Sequence, residues 1–123
     1  MEYYKYWIYE DYFIFKPEFN DELNIYQNQL VNYKKLIFSN YDDYKICIET
    51  NNEFENKYIY NYKVSKFNQS LANSLDKLIN LQQLTLSHGF KQKSEIPFNV
   101  HILNLNCDNQ YFIDNLPNSI IEL

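Results

Sequence analysis

One stretch of this chain occurs twice, and that repetition constrains the fold more than any other feature. Leu30-Val31-Asn32-Tyr33-Lys34-Lys35-Leu36-Ile37-Phe38-Ser39 is matched 48 positions later by Leu78-Ile79-Asn80-Leu81-Gln82-Gln83-Leu84-Thr85-Leu86-Ser87. Positions 30, 31, 33, 36 and 38 stay apolar in the second copy, and Asn and Ser recur in place. A second pair lies 20 positions apart, Ile96-Pro97-Phe98-Asn99-Val100-His101-Ile102-Leu103 against Leu116-Pro117-Asn118-Ser119-Ile120-Ile121-Glu122-Leu123. Leu81-x-x-Leu84-x-Leu86 and Val100-x-x-Leu103-x-Leu105 join the two sets at an offset of 19. Recurrence at such intervals marks stacked units, each too small to bury its apolar face alone. The common pattern reads as a short strand. Side chains alternate along a strand, so Leu84 and Leu86 share one face and Thr85 takes the other. Stacking then gathers the leucine pairs into one buried column and the residues between them into an exposed one.

Half of the 48-residue offset is 24, which sets Tyr60-x-Tyr62 in register with Leu36-x-Phe38, and one further step back sets Tyr12-x-Ile14 there. The predicted turns therefore begin near residues 12, 36, 60, 84, 103 and 123. Two connections read as short helices. Asn20-Asp21-Glu22 offers an N-cap and an acidic first turn before Leu23, Tyr26 and Leu30, and Leu71, Leu75 and Leu78 follow the same spacing. Tyr44-Lys45-Ile46-Cys47-Ile48 alternates as a strand, while Gly89 and Pro97 punctuate the linker at 87–99. Residues 1–15 put Tyr4, Tyr6 and Ile8 on one strand face and Tyr3, Lys5, Trp7 and Tyr9 on the other. They read as an N-terminal β cap, a hairpin turning near Glu10-Asp11, because the end of a stack must be covered. The expected organisation is a single repeat domain over 1–123, with a cap at 1–15, repeats over 16–123 and an incomplete last turn at Leu123. An open edge there invites pairing with another chain.

Composition narrows the functional classes. The 11 basic residues, all Lys, are outnumbered by 16 acidic ones, giving a net charge of −5. A phosphate backbone needs clustered cations, and only Lys34-Lys35 are adjacent, so no nucleic-acid partner is expected. No apolar run approaches the roughly 18 residues of a membrane span. Met1-Glu2-Tyr3-Tyr4-Lys5 lacks a basic leader, so the expectation is an intracellular, cytoplasmic protein with free thiols, not a membrane protein. With 13 Tyr, 9 Phe, recurrent Asn and a single Gly, the composition follows AT-rich codons, as in a protist or a large DNA virus. Most of the tyrosines then replace leucine in the core, each with its hydroxyl at the wet edge.

The second half of the chain resembles the FNIP repeat, a variant of the leucine-rich repeat, whose period is roughly 20–29 residues. Phe67-Asn68-Gln69-Ser70-Leu71 supplies the opening of that motif, and Phe90-Lys91-Gln92 and Asp108-Asn109-Gln110 are degenerate copies. Asp114-Asn115-Leu116-Pro117-Asn118-Ser119-Ile120-Ile121-Glu122-Leu123 is the most specific stretch, and the resemblance covers residues 67–123. It implies an α/β leucine-rich-repeat solenoid, β-rich, with short parallel strands and one or two short helices. It also implies an interaction protein and transfers no catalytic residue. Residues 1–30 lack the Leu-Pro-rich opening of an F-box, so a role in ubiquitin ligation is not implied.

The sequence carries few residues in patterns that point to chemistry. A single Gly excludes the glycine-rich nucleotide and nucleophile motifs. Cys47, His88, His101 and Cys107 lack the paired spacings of a zinc site. Asp42-Asp43 and Glu10-Asp11 sit in predicted turns, where carboxylates stay hydrated. No enzyme activity, metal or cofactor is expected. The function expected is a non-catalytic protein-protein interaction module with an unidentified protein partner; the alternative is self-association through the open edge, as a homodimer or a larger assembly. The protein-binding candidates are the column opposite the leucines and its flanks: Lys34, Lys35, Ile37, Asn61, Gln82, Gln83, Thr85, His101, Ile102 and Asn104. Ile37 and Ile102 are expected exposed, as the apolar part of that surface. Leu84, Leu86, Leu103 and Leu105 are expected buried in one stack, with Thr85 and Asn104 facing away.

Overall fold

The computed structural model describes residues 5–42, 65–69, 71, 74–86, 90, 96–97 and 99–105. Its frame is a five-stranded mixed sheet in which the strands lie in chain order. The strands are β1 (Tyr6–Tyr9), β2 (Tyr12–Phe15), β3 (Lys35–Phe38), β4 (Gln83–Leu86) and β5 (Ile102–Leu105). β1 and β2 pair antiparallel, whereas β2-β3, β3-β4 and β4-β5 are parallel. A short α-helix, α1 (Gln27–Leu30), follows a 3-10 segment over Leu23–Tyr26, and a second 3-10 turn spans Leu75–Lys77. The protein is thus an α/β, β-rich fold. No helix among the described residues is long and apolar enough to cross a membrane.

The sheet keeps the register expected from the repeats. Leu36 lies opposite Leu84, and Leu84 opposite Leu103, at the offsets of 48 and 19. Leu84, Leu86 and Leu103 are fully buried in one cluster with Leu36 and Phe38. Leu105 takes its ladder position opposite Leu86, and its side chain lies outside the described set.

The N-terminal rung is displaced by one residue from expectation. Phe13 lies opposite Leu36 and Phe15 opposite Phe38, so Phe13 and Phe15 join the leucine cluster, while Ile14 is buried on the opposite face and Tyr12 is half-buried there. A one-residue slip transfers a whole strand to the other face. The slip puts two phenylalanines in the cluster and leaves the Tyr12 hydroxyl on the half-buried face, so no hydroxyl is stranded in the core. The predicted rung near 60 is also corrected. β3 pairs directly with β4, so no rung stands between them, and Tyr60 and Tyr62 lie outside the described residues.

The Glu10-Asp11 hairpin turn forms as expected, with Glu10 at a left-handed φ of 52°. The predicted helices shrink. Glu22 takes the cap position before Leu23 without a side-chain bond. Asn20 uses its side-chain oxygen elsewhere, accepting from the Asn68 amide at 2.9 Å. Residues 44–48, 87–89 and 106–123, with the predicted strand and final turn they contain, lie outside the described residues.

Ring stacking fixes the connections to the sheet. Phe19 stacks on Phe67 at 5.7 Å, and Phe67 on Phe90 at 5.8 Å, with interplanar angles of 11° and 2°. Phe38 joins this column by stacking on Phe67 at 4.1 Å. Phe19-Asn20 precedes Phe67-Asn68 by the same 48 positions as the leucine repeat, a correspondence the sequence carries.

Candidate functional site

The sheet has two unlike faces. The core face carries Phe13, Leu36, Leu84 and Leu103 in one row, and Phe15, Phe38 and Leu86 beside it. The opposite face carries two cross-strand rows. The first is Tyr9-Tyr12-Lys35-Gln83-Ile102 and the second Trp7-Ile14-Ile37-Thr85-Asn104.

These rows differ in access to water. Tyr12, Lys35, Gln83 and Ile102 are half-buried, and Tyr9 is 41% exposed. Ile14 is fully buried, Ile37 is 5% exposed, and Thr85 and Asn104 are each 8% exposed. The expectation that Ile37 is exposed is therefore corrected, as is the placement of Thr85 and Asn104 on an exposed column. Their direction is as expected, away from the leucines. Strands stand about 4.8 Å apart, so Ile14, Ile37 and Thr85 each have a row neighbour on both flanks, and Asn104, on β5, has Thr85 on one flank. Ile37 sits between Ile14 and Thr85. The polar members of the row satisfy each other, since the Asn104 amide Nδ2 donates to Thr85 Oγ1 at 3.1 Å.

Lys34, Gln82 and His101 are exposed at the rim, one residue before each parallel strand. Backbone bonds repeat along this rim. The Asp11 carbonyl accepts from the amides of Lys34 and Lys35, that of Lys34 from Gln82 and Gln83, and that of Gln82 from His101 and Ile102. Each carbonyl holds two successive donors, so the rim residues are aligned by main chain.

Lys35 is anchored twice. Its Nζ lies 4.5 Å from the Tyr12 ring centroid and 3.8 Å from Asp11 Oδ1. Lys16 stands similarly over Trp7, at 5.2 Å. Such contacts hold a cation in place at an accessible surface.

Nine of the ten predicted surface residues are thus brought to one side or its rim: Lys34, Gln82 and His101, then Lys35, Gln83 and Ile102, then Ile37, Thr85 and Asn104. Asn61 lies outside the described residues, as do Cys47, His88 and Cys107. Sequence reasoning missed Trp7, Tyr9 and Tyr12 as members of this face. The alternation of residues 3–9 carried the signal for the first two, and the one-residue slip concealed Tyr12. Among the described residues, no group of three His, Cys, Asp or Glu side chains is placed to hold a metal. A cleft of about 200 Å³ beside the hairpin is lined by Lys5, Lys16, Glu18, Phe19, Asn20 and Asp21. Two of its charges pair, with Lys5 Nζ 2.6 Å from Asp21 Oδ2. No family model, curated protein or solved structure matches this chain.

Proposed function

We propose that this chain is a leucine-rich-repeat solenoid of FNIP type whose outer sheet face binds another protein without catalysis. The observation that carries the reading is the half-buried row Tyr12-Lys35-Gln83-Ile102 on the face away from the core. It offers a ring, a held cation, an amide and an aliphatic group in sequence across parallel strands. Mixed, rigid surfaces of this kind suit protein recognition, because little side-chain freedom remains to be lost on binding. The phenylalanine column and the leucine row support the repeat reading, since each turn supplies equivalent residues to one continuous core.

A photo-crosslinking side chain placed at Gln83 tests the face, with one at Ile79 as control. Ile79 is 74% exposed on the connection before β4, away from this row. Discrete adducts with another protein from position 83 and none from position 79 are the expected result. Equal adducts from both positions, or none from position 83, overturn the reading.

A further inference from the structure

We propose that the cleft beside the hairpin binds a small organic monocarboxylate, whose oxygens are held by Lys16 and Asn20 and whose body rests on Phe19. This goes beyond the outer-face reading and does not depend on it. Three observations carry it.

The first is an opposition of like charges. The β1-β2 register continues one step past Tyr6 and Phe15, where Lys16 N–H donates to the Lys5 carbonyl at 2.9 Å. Lys5 and Lys16 therefore stand directly across from each other, an arrangement that is unfavourable unless anions lie near. Lys5 is answered by Asp21, 2.6 Å away. Lys16 is answered by the face of Trp7, at 5.2 Å, and among the described residues its ammonium has no ion pair. A ring face attracts the cation but leaves its charge unneutralised and its N–H donors unspent.

The second is another unspent donor in the same wall. Asn20 Oδ1 accepts from the Asn68 amide at 2.9 Å and from Gln69 Nε2 at 3.1 Å. Those bonds fix the side-chain amide and leave its Nδ2 without a partner among the described residues. Lys16 and Asn20 line one cleft. A carboxylate is the matching group, because its two oxygens only accept and a charged donor strengthens the bond.

The third is size and charge. The cleft holds about 200 Å³, less than the roughly 300–1,000 Å³ of sites for drug-sized molecules, so its ligand is small. Phe19, only 2% exposed, gives the lining its ring. Glu18 and Asp21 line the cleft as well, and their carboxylates oppose a doubly charged phosphate more than a singly charged carboxylate.

Benzoate is the probe, with benzamide as its uncharged counterpart. Trp7 is the single tryptophan of the chain, so its indole N–H gives one isolated NMR signal beside Lys16. Titration to about 50 mM at constant ionic strength covers the millimolar dissociation constants expected of so few contacts. Benzoate is expected to move the indole signal saturably, and benzamide and inorganic phosphate to move it far less. Lys16→Gln and Asn20→Asp are each expected to weaken benzoate binding by about tenfold or more, the loss of one hydrogen bond to a charged group. Asn20→Asp keeps the oxygen that accepts from Asn68, replaces the donor by a negative charge and leaves the Lys16-Trp7 reporter in place. Lys16→Arg keeps the charge and is expected to retain binding. A thermal melt checks that each variant is folded. No saturable shift with benzoate, an equal or larger response to benzamide or phosphate, or unchanged benzoate binding in folded Lys16→Gln or Asn20→Asp each overturns the proposal.

Discussion

The two ends of the sheet solve the same packing problem with different side chains. At the N-terminal end the core positions hold Phe13, Phe15 and Phe38, and at the other end Leu84, Leu86 and Leu103. Phe13, Leu36, Leu84 and Leu103 nevertheless form one continuous row. The ladder therefore selects direction and apolarity, not identity. What the rings add is orientation. Phe15 stacks on Phe19 at 3.9 Å and on Phe38 at 5.4 Å, and Phe38 on Phe67 at 4.1 Å. Stacked rings gain about 0.5–1.5 kcal/mol beyond burial and fix mutual geometry, whereas branched aliphatics fill space with less directional preference.

Truncation should be severe at either end. Phe38→Ala is expected to cost about 3–5 kcal/mol and Leu84→Ala about 2–5 kcal/mol, measured by urea unfolding. Conservative swaps separate the ends. Leu84→Met keeps volume and should cost less than about 1.5 kcal/mol, whereas Phe38→Leu loses volume and its stacking and should exceed that. Equal costs for the two swaps would reduce the contrast to composition alone. A Leu84→Ala loss under about 0.5 kcal/mol would mean that the core register is wrong.

The leucine end was the readable end. Its period-two pattern has only one arrangement that buries Leu84, Leu86 and Leu103, so sequence and structure agree there. The aromatic end was misread by one residue because Tyr12, Phe13, Ile14 and Phe15 are all apolar or aromatic. Alternation in such a run contains no contrast from which to read the register. The intervals gave a second ambiguity. Offsets of 48 and 19 placed Leu36, Leu84 and Leu103 correctly, but halving 48 predicted a rung that the direct β3-β4 pairing leaves no room for. For the candidate surface, sidedness is legible from strand parity, while the burial of Ile37, Thr85 and Asn104 is not something parity specifies.

Asparagines link successive rungs differently at the two ends. Near the hairpin, Asn20 and Asn40 accept amide hydrogens from Asn68 and Ser65. Before β5, Asn99 Nδ2 donates to the carbonyls of Leu78 at 3.0 Å and Leu81 at 2.6 Å. Asn99→Ala strips a donor from two carbonyls and should cost about 1–3 kcal/mol. Asn80 donates from an exposed position to the Val31 carbonyl alone, at 2.7 Å, where water can substitute. Asn80→Ala should therefore cost less. Thermal unfolding of the pair measures the difference, and an equal or reversed order would mean that the second carbonyl and the partial burial at Asn99 add nothing.

The smallest effect expected is a pH dependence belonging to the aromatic end. Lys5 holds its proton more tightly than a free lysine, through its hydrogen bond to Asp21 and then the attraction of that carboxylate. Tyr26 is also raised, chiefly because burial disfavours its phenolate. Both folded-state values lie above the unfolded ones, which are near 10 for tyrosine and about 10.4 for lysine. The folded chain thus binds more protons than the unfolded chain across the alkaline range, so stability falls as pH rises there. The contribution is complete below the unfolded values and is lost as pH climbs through the folded ones. Urea midpoints at about pH 8.5 and about pH 11, either side of those values, should decline for the wild type and decline less for Tyr26→Phe, which has no phenol to ionise. Asp21→Asn removes the partner that raises Lys5 and should flatten the remaining slope. A midpoint that rises toward alkaline pH, or a slope that neither substitution reduces, would detach this proton linkage from the hairpin end of the sheet.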